Sequence, residues 1–69
     1  MNMNEMKLFI RMPEVVRVTG KSRSTILRAV KAKTFPAPIH IGPQAIAWDS
    51  AEVAKWQMDR IAESRKADE

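Results

Sequence analysis

A chain of 69 residues holds one domain with a small core, and the absence of cysteine rules out disulfides and thiolate metal sites as reinforcement. The formal charge of +4 is unevenly spread. Residues 7–33 carry eight basic side chains (Lys7, Arg11, Arg17, Lys21, Arg23, Arg28, Lys31 and Lys33) against one acid, Glu14, whereas residues 34–69 are net acidic. A basic half joined to an acidic remainder is the electrostatic footprint of a surface that meets a polyanion; the competing account is a solvated surface with uneven charge. No apolar run approaches the roughly 20 residues of a membrane span. The opening MNMNEMKLFI lacks the pattern of a secretory signal, so a soluble cytoplasmic protein is expected.

In chain order, residues 1–7 read as a flexible N-terminus, and Leu8, Phe9 and Ile10 as a brief strand or a tie-down onto the core. Pro13 and Glu14 suit the first turn of a helix, the proline through its fixed φ and the glutamate through the macrodipole. The β-branched run Val15, Val16, Val18 and Thr19 leans locally towards strand. Helix is still expected, because Val15 and Val18 share a face and Gly20 is a natural terminator. Ser22 is the candidate N-cap of a second helix over Arg23 to Ala32. Its Ile26 and Val30 are buried, flanked by Leu27 and Ala29, and its Ser24, Arg28 and Lys31 face outward.

Thr34-Phe35-Pro36-Ala37-Pro38 is extended, since each proline restricts itself and its predecessor. Ile39-His40-Ile41 and Ala45-Ile46-Ala47-Trp48 alternate around Gly42-Pro43-Gln44, a hairpin signal. Strict alternation sends Ile39, Ile41, Ile46 and Trp48 to the core and His40, Ala45 and Ala47 outward. Asp49 with Glu52 resembles a capping box opening a last helix, with Val53 and Trp56 as core contacts. Met58 and Ile61 are expected to complete that core. Residues 63–69 read as a charged, frayed tail. The expected fold is therefore mainly α with a small β-hairpin: a single winged helix-turn-helix domain over residues 8–62.

The chemistry follows from that placement. Cations and backbone N–H groups grip phosphates, while side chains that donate or accept at base edges read sequence. Arg23, Ser24, Thr25 and Arg28 cluster in the first two turns of the second helix, the end that reaches the major-groove floor in helix-turn-helix proteins. Arg28 is the candidate for a bidentate guanine contact, the alternative being a phosphate grip. Arg23 lies nearer the apolar side and suits the backbone. Ser22 and Thr25 serve the helix start before they serve DNA. Lys21, Lys31 and Lys33 read as phosphate neutralisers. His40 and Gln44 are the wing's candidate contacts, although His40 also fits an ordinary exposed strand position. A lone histidine without cysteine makes no zinc site, so no metal is expected. Trp48 and Trp56 read as core. Asp49, Glu52, Asp59 and Glu63 read as capping or solvated groups. With no Gly-rich phosphate loop and no nucleophile–base pair, no enzymatic activity is expected.

The segments Ile10-Arg11-Met12-Pro13-Glu14-Val15, Thr19 to Ile26, Phe35-Pro36-Ala37-Pro38 and Ala45-Ile46-Ala47-Trp48 occur in an order that resembles the AlpA family of prophage regulatory proteins. That family is similar to small phage excisionases and to the DNA-binding head of MerR-type regulators. The resemblance covers roughly residues 8–61. It implies a transcriptional regulator of a prophage or mobile element that binds double-stranded DNA through the helix starting at Ser22 and through the wing, without a cofactor. Four positions depart from the family pattern. Lys21 stands where an apolar residue is usual, Lys33 where a glycine commonly ends the recognition helix, Gln44 where the wing often has arginine, and Gln57 where leucine is frequent.

Two other functions use the same residues differently. An excisionase would bend attachment-site DNA to direct a recombinase. An interaction module would instead inhibit a host regulator through the last helix, with Met58 and Ile61 as its patch. A module this small is expected to bind as a homodimer or a cooperative array on DNA, with a recombinase or RNA polymerase as further partners. It would associate with the nucleoid when bound.

Overall fold

The computed structural model describes residues 6–67. Its elements are β1 (Phe9–Ile10), α1 (Met12–Thr19), α2 (Arg23–Lys31), β2 (Ile39–Gly42), β3 (Ala45–Asp49) and α3 (Ser50–Ala67). The expected order of strand, helix, turn, helix, hairpin and helix is present. The expected flexible N-terminus falls largely on residues 1–5, outside the described residues.

Three antiparallel strands form one sheet in the order β1-β3-β2. The short run at Leu8–Ile10 is thus a strand after all: Phe9 pairs with Asp49 and Ile10 with Trp48, and the Ser50 N–H donates to the Leu8 carbonyl at 2.9 Å. Val15, Ile26, Phe35, Trp48 and Val53 make the core, one each from α1, α2, the linker after α2, β3 and α3. Ile10, Met12, Val16, Val18, Ala29, Val30, Ile46 and Trp56 pack around it. The β-branched run in α1 is helical because Val15 is fully buried and Val16 and Val18 pack beside it; burial overrides a weak local preference.

The hairpin corrects the expected alternation. Ile39 pairs with Ala47 and His40 with Ile46, and a bulge at Ile41 precedes the Gly42–Ala45 pair. Directly opposed residues share a face of the sheet. Ile39 therefore stands on the face of Ala47, opposite to that of Trp48, and His40 on the face of Ile46 and Trp48. Ile39 and Ile41 remain 37% and 42% exposed on the edge strand, while Ala47 in the central strand is fully buried. The hairpin forms where expected and Ile46 packs on the core, but the register and its bulge leave Ile39 and Ile41 outside it.

Asp49 caps α3 with Oδ1, which accepts from the Ala51 N–H at 2.9 Å, and Oδ2 lies 3.6 Å from Lys7 Nζ. The reciprocal half of the capping box is missing: Glu52 is exposed and makes no side-chain hydrogen bond among the described residues. α3 continues through Ala67, past Glu63, where fraying was expected. Only its first two turns pack on the body. From Met58 onward every described residue is exposed, including Met58 at 66% and Ile61 at 45%, so these two do not complete the core. At about 1.5 Å per residue, α3 simply outruns the body it packs against.

Candidate nucleic-acid interface

Hydrogen bonds at every step define the turn between α1 and α2. Gly20 takes a left-handed φ of 72°, and its N–H donates to the Val16 carbonyl at 2.9 Å, ending α1 where the sequence suggested. The Thr19 hydroxyl donates to the Val15 carbonyl at 2.7 Å and accepts from the Lys21 N–H at 3.2 Å. Ser22 then takes the extended conformation of an N-cap, its Oγ accepting from the Thr25 N–H at 3.2 Å and donating to Thr25 Oγ1 at 2.9 Å. Ser22 and Thr25 thus build the helix start, as their residue types predicted.

This turn leaves one edge of α2 open to solvent. Arg23, Ser24, Arg28 and Lys31 are exposed, and the first turn of the helix contains no acid. Arg28 Nη2 reaches back to within 3.5 Å of Thr25 Oγ1, at the outer limit of a hydrogen bond, so the guanidinium leans towards the N-terminal end of α2. Lys21 is half-buried and Lys33 exposed.

Two of the eight basic side chains in residues 7–33 are neutralised locally. Lys7 faces Asp49, and Arg17 binds the Glu14 carboxylate through both Nε and Nη2. The hydrogen bond from Arg17, with the charge attraction behind it, holds the Glu14 carboxyl below its ordinary range, while Glu14 raises Arg17. Arg11, Lys21, Arg23, Arg28, Lys31 and Lys33 have no carboxylate partner among the described residues. Positive charge without an internal counter-ion is therefore concentrated on α2 and its two flanks. Arg11, the residue before α1, joins this set; only the structure separates it from the paired Arg17, because pairing leaves no mark in composition.

The end of α2 answers the question raised by Lys33. Lys33 adopts φ 66°, the left-handed conformation that glycine takes most readily. Its N–H donates to Val30 O at 3.1 Å and the Thr34 N–H to Ala29 O at 2.9 Å, which is the Schellman pattern. The cap forms with lysine in the glycine position, and the cation stands at the helix's exposed end.

Beyond it, the linker from Thr34 to Pro38 is fixed by both tryptophans. The Trp56 indole N–H donates to Thr34 O at 2.9 Å and the Trp48 indole N–H to Pro36 O at 2.8 Å. Phe35 sits edge-on to both rings, with centroids 5.0 Å from Trp56 and 6.4 Å from Trp48. Trp48 is core as expected, and Trp56 is half-buried with its outer face under Arg60. On the wing, His40 and Gln44 are both exposed, Gln44 in the two-residue turn with Pro43. No side-chain hydrogen bond or ion pair among the described residues joins the wing to α2. The two candidate surfaces are held relative to each other through the linker and the core.

Sequence reasoning gave Gln57 no role beyond thinning an apolar face. Its amide donates to the Val18 carbonyl at 2.8 Å, satisfying an acceptor in the last turn of α1. The one signal in the sequence was a polar residue where the family resemblance implies leucine. Among the described residues, no group of histidine, cysteine and carboxylate side chains is placed to hold a metal ion, and no helix is long and apolar enough to cross a membrane.

A helix, a glycine turn, a capped second helix and a two-stranded wing define the winged helix-turn-helix class. Residues 8–61 match the model of the family described as prophage CP4-57 regulatory protein (AlpA), and the chain belongs to that family. It is 41% identical over 54 residues to an uncharacterised protein, ORF88, of Enterobacteria phage P4. That alignment covers 78% of this chain and 61% of the phage protein, so the chain matches about three fifths of its relative's length. No solved structure matches the chain.

Proposed function

We propose that this protein is a sequence-specific DNA-binding regulator of a prophage or related mobile element. In this reading α2 enters the major groove, with Arg28 and Ser24 at base edges and Arg23, Lys21, Lys31 and Lys33 on phosphates. The wing, through His40 and Gln44, follows the flanking DNA. The observation that carries the reading is the set of five cations without internal partners, Lys21, Arg23, Arg28, Lys31 and Lys33, on and beside an exposed helix edge that holds no acid. Membership of a family of prophage regulators supports the same conclusion. Arg11 extends the phosphate-gripping set to the start of α1, the helix that crosses the backbone in helix-turn-helix complexes.

The test is a footprint of the purified protein across the DNA of its own element, followed by binding as a function of salt. Protection within a promoter supports a transcriptional regulator. Tandem protected sites at an attachment region, with bent DNA, would assign the protein to recombination instead. Arg28→Ala is expected to weaken specific binding by about 1 to 3 kcal/mol and relax specificity at one base pair. Lys31→Ala should weaken specific and non-specific binding alike and reduce the salt slope by about one. Absence of binding to any duplex in dilute buffer would overturn the reading.

A further inference from the structure

Each helix has a single deep anchor in the core: Val15 in α1, Ile26 in α2 and Val53 in α3. Ile26 is the one fully buried residue of α2, with Ala29 and Val30 partly covered. A single deep anchor fixes where a helix sits better than how it is turned about that point. Orientation must come from its two ends.

The backbone on either side of α2 is tied to adjacent residues of α3, the last turn of α1 to Gln57 and the following linker to Trp56. Gln57 donates to Val18 O at 2.8 Å, four residues before the cap of α2. Trp56 donates to Thr34 O at 2.9 Å, and Thr34 is itself the residue whose N–H closes the C-terminal cap on Ala29. Consecutive residues on a helix project about 100° apart, so one turn of α3 reaches to both sides of α2. Each acceptor is a main-chain carbonyl near a helix end, where partners inside the helix run out. Side chains from the packed part of α3 thus act on the backbone that enters and leaves α2.

We propose that Trp56 and Gln57 are positioning residues for DNA recognition: they set the orientation of α2 in the groove without touching DNA. The inference rests on the reading of α2 as the DNA-contacting helix and adds to it the device that aims that helix. Base contacts depend on angle far more than phosphate contacts do, because a bidentate pair fixes two directions at once whereas a phosphate accepts a cation over a wide arc. Loosening the clamp should therefore cost specificity before it costs affinity for DNA in general.

The experiment uses the full chain. A duplex is first selected from a random library by the wild-type protein, and binding to it is compared with binding to a scrambled duplex of equal length. Gln57→Leu keeps the volume and removes the donor; Trp56→Phe keeps a ring against Phe35 and removes the N–H. For Gln57→Leu we expect affinity for the selected duplex to fall on the order of tenfold, with the scrambled duplex and the salt slope unchanged. Repeating the selection with this variant should return a less defined consensus. Combining it with Arg28→Ala should give less than the product of the two separate effects, because a misaimed Arg28 has little left to lose. Trp56→Phe should shift the consensus in the same way if it folds, as judged by its melting curve.

Equal losses on both duplexes, or a lowered Tm with an intact consensus, would reduce Gln57 to a stabilising contact and overturn the proposal. If the wild-type protein selects no duplex and binds none, the DNA-binding reading fails first and the clamp falls with it. If wild type selects a duplex and both variants retain its consensus, the clamp alone is wrong.

Discussion

Phe35 meets the ring of Trp56 edge-on at 5.0 Å while the indole N–H of Trp56 holds the carbonyl of the preceding residue, Thr34, so one ring secures both the side chain and the backbone of the linker. Truncating Phe35 empties the space between two tryptophans. Burial of a phenylalanine at this level implies a cost of about 3 to 5 kcal/mol for Phe35→Ala. A domain this small rarely holds more than ~5 kcal/mol in all. The expected outcome is a chain without a cooperative urea transition at 25 °C, read by circular dichroism, with DNA binding lost in parallel.

Lys33 separates stability from binding. A side chain in the left-handed region costs ~1–2 kcal/mol, and glycine gives part of this back through its freer unfolded state. Lys33→Gly should therefore stabilise the fold by up to about 1 kcal/mol, which raises Tm by roughly 4–8 °C in a domain of this size. The same substitution removes an unpaired cation, so duplex affinity should fall and the salt slope should flatten by about one. Calorimetry and a salt titration on one variant check both halves. A variant that melts lower would contradict the cap geometry.

Ser22 allows a comparable separation at the other end of α2. Ser22→Ala removes the acceptor for the Thr25 N–H and should cost about 1 kcal/mol of stability. Ser22→Asp restores the cap and complements the macrodipole, so its Tm should match that of wild type. Its carboxylate, however, stands among the cations proposed to grip phosphate. Binding by Ser22→Asp should be weaker than by Ser22→Ala, although the aspartate variant is the better folded of the two.

The Glu14–Arg17 pair makes a prediction in pH. Its carboxyl is held below the ordinary value in the folded chain, so its stabilising effect is present above the unfolded-state pKa and disappears as pH falls through the lowered folded one. The pair is solvent-exposed, so the effect on the acid limb of the Tm profile should be small, and Glu14→Gln should remove it. The same variant releases Arg17 as a further free cation. Non-specific duplex binding should tighten and its salt slope steepen, which gel shifts over a salt series will measure.

What the sequence revealed and what it hid divide along physical lines. Gly20, Ser22 and the alternation around Gly42 act through their immediate neighbours, and the helix ends and hairpin fell where those residues predicted. Trp48 was legible as core because no small domain leaves such a ring uncovered without reason. Ile39 and Ile41 were misread as inward-facing because register depends on a bulge at Ile41 and on which strand is central, and neither is a local property. Met58 and Ile61 lie off the Val53–Trp56 stripe and were expected to complete the core as apolar side chains, but composition does not tell how far the body extends beneath a helix. In the candidate site, the exposed edge of α2 was legible from charge and periodicity. Which of its two neighbours three residues away, Arg11 or Arg17, Glu14 pairs with, and what Lys7 and Gln57 hold, required distances that the sequence does not carry.

The outer turns of α3 contribute little of the folding free energy that packing supplies, since every described residue after Gln57 is exposed. The family match ends at residue 61, in that same uncovered stretch. Natural selection is therefore at liberty to rewrite residues 62–67 in one lineage without disturbing the reading head. Whatever individuality distinguishes this regulator from its kin has room to accumulate there.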